Sequence, residues 1–364
     1  MVRKGYLRSG AALGLLVALA GCGSASAGAA QSASRGTIGI SMPTTTSPRW
    51  IADGSNIAKQ LTLLGYKPEL SYAENDAQKQ AAQIQGMIGH GDKALIIGAV
   101  DGSALTQVLQ GATAANIPVL AYDRLIRNTA AVSYYASFDN YRVGVLQADY
   151  LVGALGLRSG AGSHTIELFA GSADDNNAGF FFRGAMSVLK PYLASGRLVV
   201  ASGTTAFAQV TTKAWDGDVA KARMTALLAT TYASTRLDAV LSPYDGISRG
   251  ILTALTAAGY GKAGKPFPAV TGQDAELDSV KLIAAGTQQE TIYKDTRELA
   301  KVVVHMTNSL VRGEELPEVN DTTQYNNGVK AVPSFLLQPV SITRKNYVRV
   351  LVDGGYYTAA QISG

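Results

Sequence analysis

Cysteine is nearly absent: Cys22 is the only one in 364 residues. That excludes a disulfide framework and any cysteine metal cluster. Histidine is almost as scarce. His90, His164 and His305 lie far apart, with none of the spacings that metal ligation requires. Charged residues make up only 16% of the chain, and no Lys/Arg cluster follows the opening residues. Long apolar runs are missing too. The run 11–20 is short of the ~20 residues needed to cross a bilayer, and no later stretch is long and apolar enough. What remains is 47% hydrophobic, too apolar for disorder and too polar for a multi-span membrane protein. The length suggests about two domains.

The first thirty residues read as an address. Arg3, Lys4 and Arg8 precede the apolar run 11–20, and Leu19-Ala20-Gly21-Cys22 follows at once. A basic start, a short apolar core and small residues at the cut make a secretory signal peptide. The last four residues resemble the lipobox of bacterial lipoproteins, which implies Cys22 as the lipidated first residue of the mature chain. Residues 1–21 are then the signal peptide, and the small, polar stretch 22–35 a flexible tether. The formal charge of +5 is partly a property of that signal. Without it, 29 basic residues face 27 acidic ones, about +2, and nucleic acid is not expected as a partner.

The body alternates strand and helix patterns. Strands are predicted over 37–42, 70–72, 94–98, 117–122, 132–138, 165–170, 198–204, 239–242, 269–271 and 291–293. Helical spacing lies between them, with Asn75 or Asp76 predicted to cap the helix over 77–88. The tail 332–357 reads as extended and mixed. Repeated β-α-β units predict an α/β fold of two doubly wound, parallel-sheet lobes. Ligands in such sheets bind beyond the carboxyl ends of the strands.

Polar residues collect at those ends: Arg49-Trp50, Asp123-Arg124, Asp139-Asn140, Asp174 to Asn177, Trp215-Asp216, Tyr244-Asp245, Gln273-Asp274 and Lys294-Asp295. Each alone is ordinary, since Asp and Asn cap helices and tryptophan fills cores. Together they match a sugar. Carboxylates accept bonds from hydroxyls, Arg and Lys donate to them, and Asn does both. Two indoles offer flat apolar faces to ring C–H groups.

On these residues the chain resembles the periplasmic sugar-binding proteins of bacterial ABC importers, which have the type I fold. It looks closest to their xylose-binding and multiple-monosaccharide-binding branch. The motifs are Met42-Pro43 with Arg49-Trp50, Ala121-Tyr122-Asp123-Arg124, Phe138-Asp139-Asn140, Gly171 to Ala178, Trp215-Asp216, Thr271-Gly272-Gln273-Asp274, and Tyr293-Lys294-Asp295. The resemblance covers roughly 36–360. It implies two lobes joined by three hinge strands: 36–138 plus 276–331, and 139–275 plus 332–364.

It also implies roles. Arg49 and Trp50 bind and stack from the first lobe, and Asp123 and Arg124 hold adjacent hydroxyls. Asn177, with Asn176 or Asp174, contributes from the second lobe, and Trp215 is its stacking ring. Asp245, Asp274 and Lys294 supply contacts near the hinge. Pro243-Tyr244 stands before Asp245 where many xylose-binding relatives carry Asn, which leaves aldohexoses open beside aldopentoses. The implied protein is a monomer without a cofactor, held by lipid at the outer face of the cell membrane. It would deliver a monosaccharide to the permease subunits of an importer.

Other readings are weaker. Gly259 to Gly264 spells G-x-G-x-x-G, but it follows a helix pattern and leads to Pro266, whereas dinucleotide binding needs a strand before it and a helix after it. A glycosidase needs paired carboxylates with one raised acid. Arg124 and Lys294 favour ionised carboxylates instead. A sugar-responsive repressor needs a helix-turn-helix where this chain has an export signal. A sugar-sensing coreceptor shares the same site and stays open.

Overall fold

A computed structural model of the chain describes residues 34–160, 162–313 and 317–364. The expected export signal and Cys22 lie outside the described residues. The elements are β1 (Thr37–Met42), α1 (Pro48–Leu63), β2 (Lys67–Tyr72), α2 (Ala77–His90), β3 (Leu95–Ile97), α3 (Thr106–Ala114), β4 (Val119–Tyr122), β5 (Val132–Phe138) and α4 (Asn140–Ala154). They continue with β6 (His164–Leu168), α5 (Asn176–Ala194), β7 (Leu198–Val199), α6 (Phe207–Val210), α7 (Gly217–Ala229), β8 (Ala239–Leu241), α8 (Asp245–Ala257) and β9 (Ala269–Val270). Last come α9 (Leu277–Ala285), β10 (Glu290–Tyr293), α10 (Thr296–Arg312), β11 (Ser334–Leu337), β12 (Val340–Thr343) and α11 (Ala359–Ser363).

Two parallel sheets result, as the alternation predicts. The first has the order β11-β5-β4-β3-β1-β2 and the second β7-β6-β8-β9. Both faces of each are covered, which is why β3 is a continuous apolar run. On one face of the first sheet, Ile38, Ile40, Leu120 and Phe138 pack against Ile57 of α1 and Val303 of α10. On the other, Leu95, Ile97 and Val119 meet Ile84 of α2 and Leu109 of α3. In the second sheet, Ile166 and Leu168 face Leu151 of α4 and Leu189 of α5, while Val240 faces Met224 of α7 and Ile251 of α8.

Local chemistry sets the boundaries. Asp76, not Asn75, caps α2, accepting from the backbone N–H groups of Gln78 and Lys79 at 2.8 and 3.0 Å. Pro48 opens α1, where its missing N–H costs nothing. Gly259 has φ +86° just beyond the end of α8, so the glycine-rich 259–264 stretch is a helix exit and not a phosphate loop. The strand predicted over 198–204 stops at Val199, at the sheet edge.

The chain passes between lobes three times: from β5 into α4, from β10 into α10, and from β11 into β12. Two boundaries therefore differ from the expected ones. Ser334–Leu337 pairs in parallel with β5 and belongs to the first sheet. Residues 277–293 go with the second lobe, because α9 packs on α8 and α11 and β10 pairs antiparallel with β12. Hydrophobic patterning marks strands well, but it carries no label for which of two similar sheets a strand joins.

Close helix contact depends on missing side chains. A Cβ at Gly144 of α4 would lie 1.9 Å from the carbonyl oxygen of Phe181 in α5, and one at Gly184 2.0 Å from that of Tyr141. Backbone cannot yield as a flexible side chain does. Gly144→Ala is expected to cost about 1–3 kcal/mol, the usual range for overpacking, measured by urea unfolding. Glu290 of β10 supplies a second test. It is fully buried, Oε1 accepts from Ser341 Oγ at 2.9 Å, and Oε2 has no hydrogen-bond partner. Burial pushes its carboxyl up to about 8 from an ordinary 4.5. Between those values the folded chain keeps a proton that the unfolded chain has lost, so this contribution to stability declines as pH rises. The melting temperature should fall from pH 5.5 to pH 8.0, and fall less in Glu290→Gln.

Candidate functional site

Strand ends from both sheets converge on a cleft of about 540 Å³. That is within the range of small-molecule sites, about 300–1,000 Å³. Eight of the eleven residues predicted from the sequence line it: Arg49, Trp50, Asp123, Arg124, Asn177, Trp215, Asp274 and Lys294.

At its floor is a buried charge cluster. Arg49 reaches three carboxylates: Nη2 lies 2.5 Å from Asp123 Oδ2, Nε 3.3 Å from Asp53 Oδ2, and Nη1 3.6 Å from Asp274 Oδ1. Lys294 Nζ sits 3.0 Å from Asp274 Oδ1 and 3.8 Å from Asp123 Oδ2. Burial alone would raise the Asp123 carboxyl. Arg49 and then Lys294 outweigh it and hold Asp123 well below the ordinary carboxylate range. Asp53, one helical turn after Arg49, behaves differently. Burial pushes it up to about 7 against the pull of Arg49, and Tyr122 donates its hydroxyl to Oδ1. Asp53 backs Arg49 from behind and does not line the cleft.

The lobes also bond each other directly. Asn177 Nδ2 of α5 donates to the Asp123 carbonyl at 2.6 Å, and Tyr135 donates to that same carbonyl at 2.5 Å. Arg124 Nε meets Asp175 Oδ2 at 3.0 Å. Burial raises the Asp175 carboxyl, and Arg124 opposes the shift. The guanidinium carbons of Arg49 and Arg124 lie 5.1 and 5.2 Å from the Trp50 ring centroid. Trp50 thereby steadies both cations.

Trp215 comes from the second lobe. Its indole packs over Gly171, where a Cβ would lie 2.0 Å from Cη2. Phe181 and Tyr244 meet it edge-on, at 6.2 and 6.1 Å between centroids. Nine non-glycine residues among those described have left-handed φ, and five of them, Asn75, Asp123, Ala214, Trp215 and Asp274, line the cleft. Backbone strain of this kind costs roughly 1–3 kcal/mol per residue and persists where surrounding contacts enforce it.

Three predicted residues lie elsewhere. Asp174 is exposed on a turn, and its neighbour Asp175 faces Arg124 instead. Asn176 begins α5 and does not reach the cleft. Asp245 is fully buried beneath the start of α9. Its Oδ2 accepts from the Glu276 N–H at 2.8 Å and its Oδ1 from Gln288 Nε2 at 2.9 Å. Burial, with Glu276 nearby, raises its carboxyl well above the ordinary value. Tyr244 and Gly246 on either side line the cleft in its place. Asp175, Phe181, Tyr244 and Gln273 are site residues beyond the predicted set. Gln273 and Tyr244 are in the polar set at the strand ends, where the resemblance assigns roles only to their neighbours Asp274 and Asp245. Phe181 was findable only as the residue one turn after Asn177.

Residues 38–315 match the family model described as a periplasmic binding protein domain. The multiple sugar-binding periplasmic receptor ChvE of Rhizobium radiobacter is 56% identical over 91% of this chain and 93% of its own length. The multiple sugar-binding periplasmic protein SbpA of Azospirillum brasilense is 54% identical over 89% of this chain and 90% of its own. Among solved structures, an ABC transporter solute-binding protein from Clostridium phytofermentans with bound β-D-glucose is similar. It is 46% identical, with a TM-score of 0.86, over 90% of this chain and 99% of that one. A two-lobed α/β fold, a polar cleft between the lobes and this similarity over nine-tenths of the chain lead to one assignment: the protein belongs to the periplasmic binding protein family.

Proposed function

We propose that the chain is an extracytoplasmic receptor that captures a monosaccharide, an aldohexose such as D-glucose or an aldopentose, in the interlobe cleft. It then delivers the sugar to an ABC importer. The carrying observation is one arrangement: Asp123, held ionised between Arg49 and Lys294, lines the same cleft as the Trp215 indole. Ionised carboxylates and fixed cations are matched acceptors and donors for adjacent hydroxyls. The indole offers an apolar face for the ring carbons. The similarity to a solute-binding protein with bound β-D-glucose supports the same ligand class.

Arg49, Asp123, Arg124, Asn177, Asp274 and Lys294 would bond the hydroxyls, with Asp175 orienting Arg124. Trp215 would stack, and Trp50 would hold the arginines in place. No bond is made or broken. Asp123 is held ionised, so it is suited to accepting hydroxyl bonds and not to donating a proton. Closure of the lobes around the sugar is a population shift, which the importer's permease would read. Cys22 in its lipobox-like setting supports a lipid anchor at the outer face of the membrane, with the receptor acting as a monomer.

Titration calorimetry of the chain from residue 23 onward against D-glucose, D-xylose, D-galactose, L-arabinose and D-ribose tests the reading. Binding of at least one aldose is expected, and silence at millimolar sugar would overturn it. Trp215→Ala and Asp123→Ala should each weaken that binding by at least ~10-fold, since a stacked ring or a buried charged hydrogen bond contributes ~1.5–3 kcal/mol. Cys22→Ser should move the full-length protein from the membrane fraction to the soluble one. Unchanged fractionation would remove the anchor.

A further inference from the structure

A carboxylate outside the cleft lining ties both halves of the site together. Glu276 immediately precedes α9 in the second lobe, with its backbone N–H on Asp245. Its side chain collects three donors. Oε1 accepts from Tyr244 OH at 2.7 Å and from Ser47 Oγ at 3.2 Å, and Oε2 accepts from Arg249 Nη2 at 2.6 Å. Glu276 lines a second cavity of about 510 Å³, which shares Arg49, Arg249 and Asp274 with the cleft.

The Ser47 bond is the unusual one. Ser47 is the N-cap residue of α1, where a serine hydroxyl normally accepts from its own helix. Here that hydroxyl makes no cap bond and donates across the cleft instead. The helix it begins carries Arg49. The same oxygen of Glu276 holds Tyr244, which stands edge-on against Trp215. One carboxylate thus links the element that bears the central arginine to the support of the opposing indole.

We infer that Glu276 is a latch of the closed cleft, a positioning residue that holds the lobes together beside the Asn177 and Arg124 bonds without touching the sugar. The inference rests on the receptor reading for its ligand but not for its geometry. Glutamine could keep these bonds, its oxygen accepting from Arg249 while its NH₂ donates to the two hydroxyls, which can accept as well as donate. Glu276→Ala removes every arm and is the variant that breaks the latch. Ser47→Ala removes the arm that crosses the cleft, and no helix cap is lost with it; Ser47 also lines the cleft, so its effect is compared with and without Glu276.

Stopped-flow kinetics with D-glucose, or with the tightest aldose found, provides the test. Glu276→Ala should raise the dissociation rate about 10-fold and change association much less, because the latch forms after encounter. Ser47→Ala should raise dissociation by a smaller factor in the wild-type background and by nothing further in Glu276→Ala. Equal effects of Ser47→Ala in both backgrounds, or wild-type dissociation in either single variant, would overturn the latch. If Glu276→Ala does not fold, Ser47→Ala alone decides, through the same rate. If no aldose binds the wild type, the receptor reading falls separately. Small-angle scattering of the sugar-free proteins then decides the latch. Ser47→Ala should have the larger radius of gyration, and identical radii would overturn it.

Discussion

The rest of the site depends on balancing buried charge in a space that must also admit a ligand. Arg49 alone satisfies parts of Asp53, Asp123 and Asp274, and Lys294 completes the last two. A buried ion is tolerable only when paired and hydrogen-bonded. None of these five residues can therefore be placed independently of the others. α1 must bring Arg49 to the end of β4, where Asp123 follows, and the link after β10 must bring Lys294 over from the second lobe. The lobes are joined where the charges require them to be.

This balance also separates two kinds of carboxylate that the sequence cannot tell apart. Asp123 and Asp245 each follow a strand and a tyrosine. Asp123 faces cations and is held ionised. Asp245 faces a backbone N–H and an amide, with Glu276 nearby, and burial raises it. The first is built to meet hydroxyls. The second fastens the start of α9 and thereby sets the position of Glu276.

The fold was legible because its signals are periodic and local. Buried runs such as 95–97, the Asp76 cap and the strand-helix alternation each follow from a few neighbouring residues. Most of the cleft was legible for a related reason: parallel α/β sheets place ligands at strand ends, and Arg49, Asp123, Trp215 and Lys294 are there. What stayed hidden depends on direction and distance. Asp174 and Asp175 are adjacent and identical in type, so only the backbone shows which one turns inward. Asp53 reads as an ordinary helix residue until Arg49 and Tyr122 are placed beside it. The membership of β11 depends on which sheet edge was open, and no local pattern encodes that.

The return of β11 to the first sheet has a consequence for inheritance. Neither lobe is a continuous stretch of chain, since each is interrupted by the other and resumed later. A single genetic crossover cannot exchange one lobe intact between two such genes. A cut between α10 and β11 leaves the first sheet without its edge strand, to be supplied by a different parent. New specificities in this architecture are thus more accessible through point changes at strand ends than through the shuffling of whole lobes.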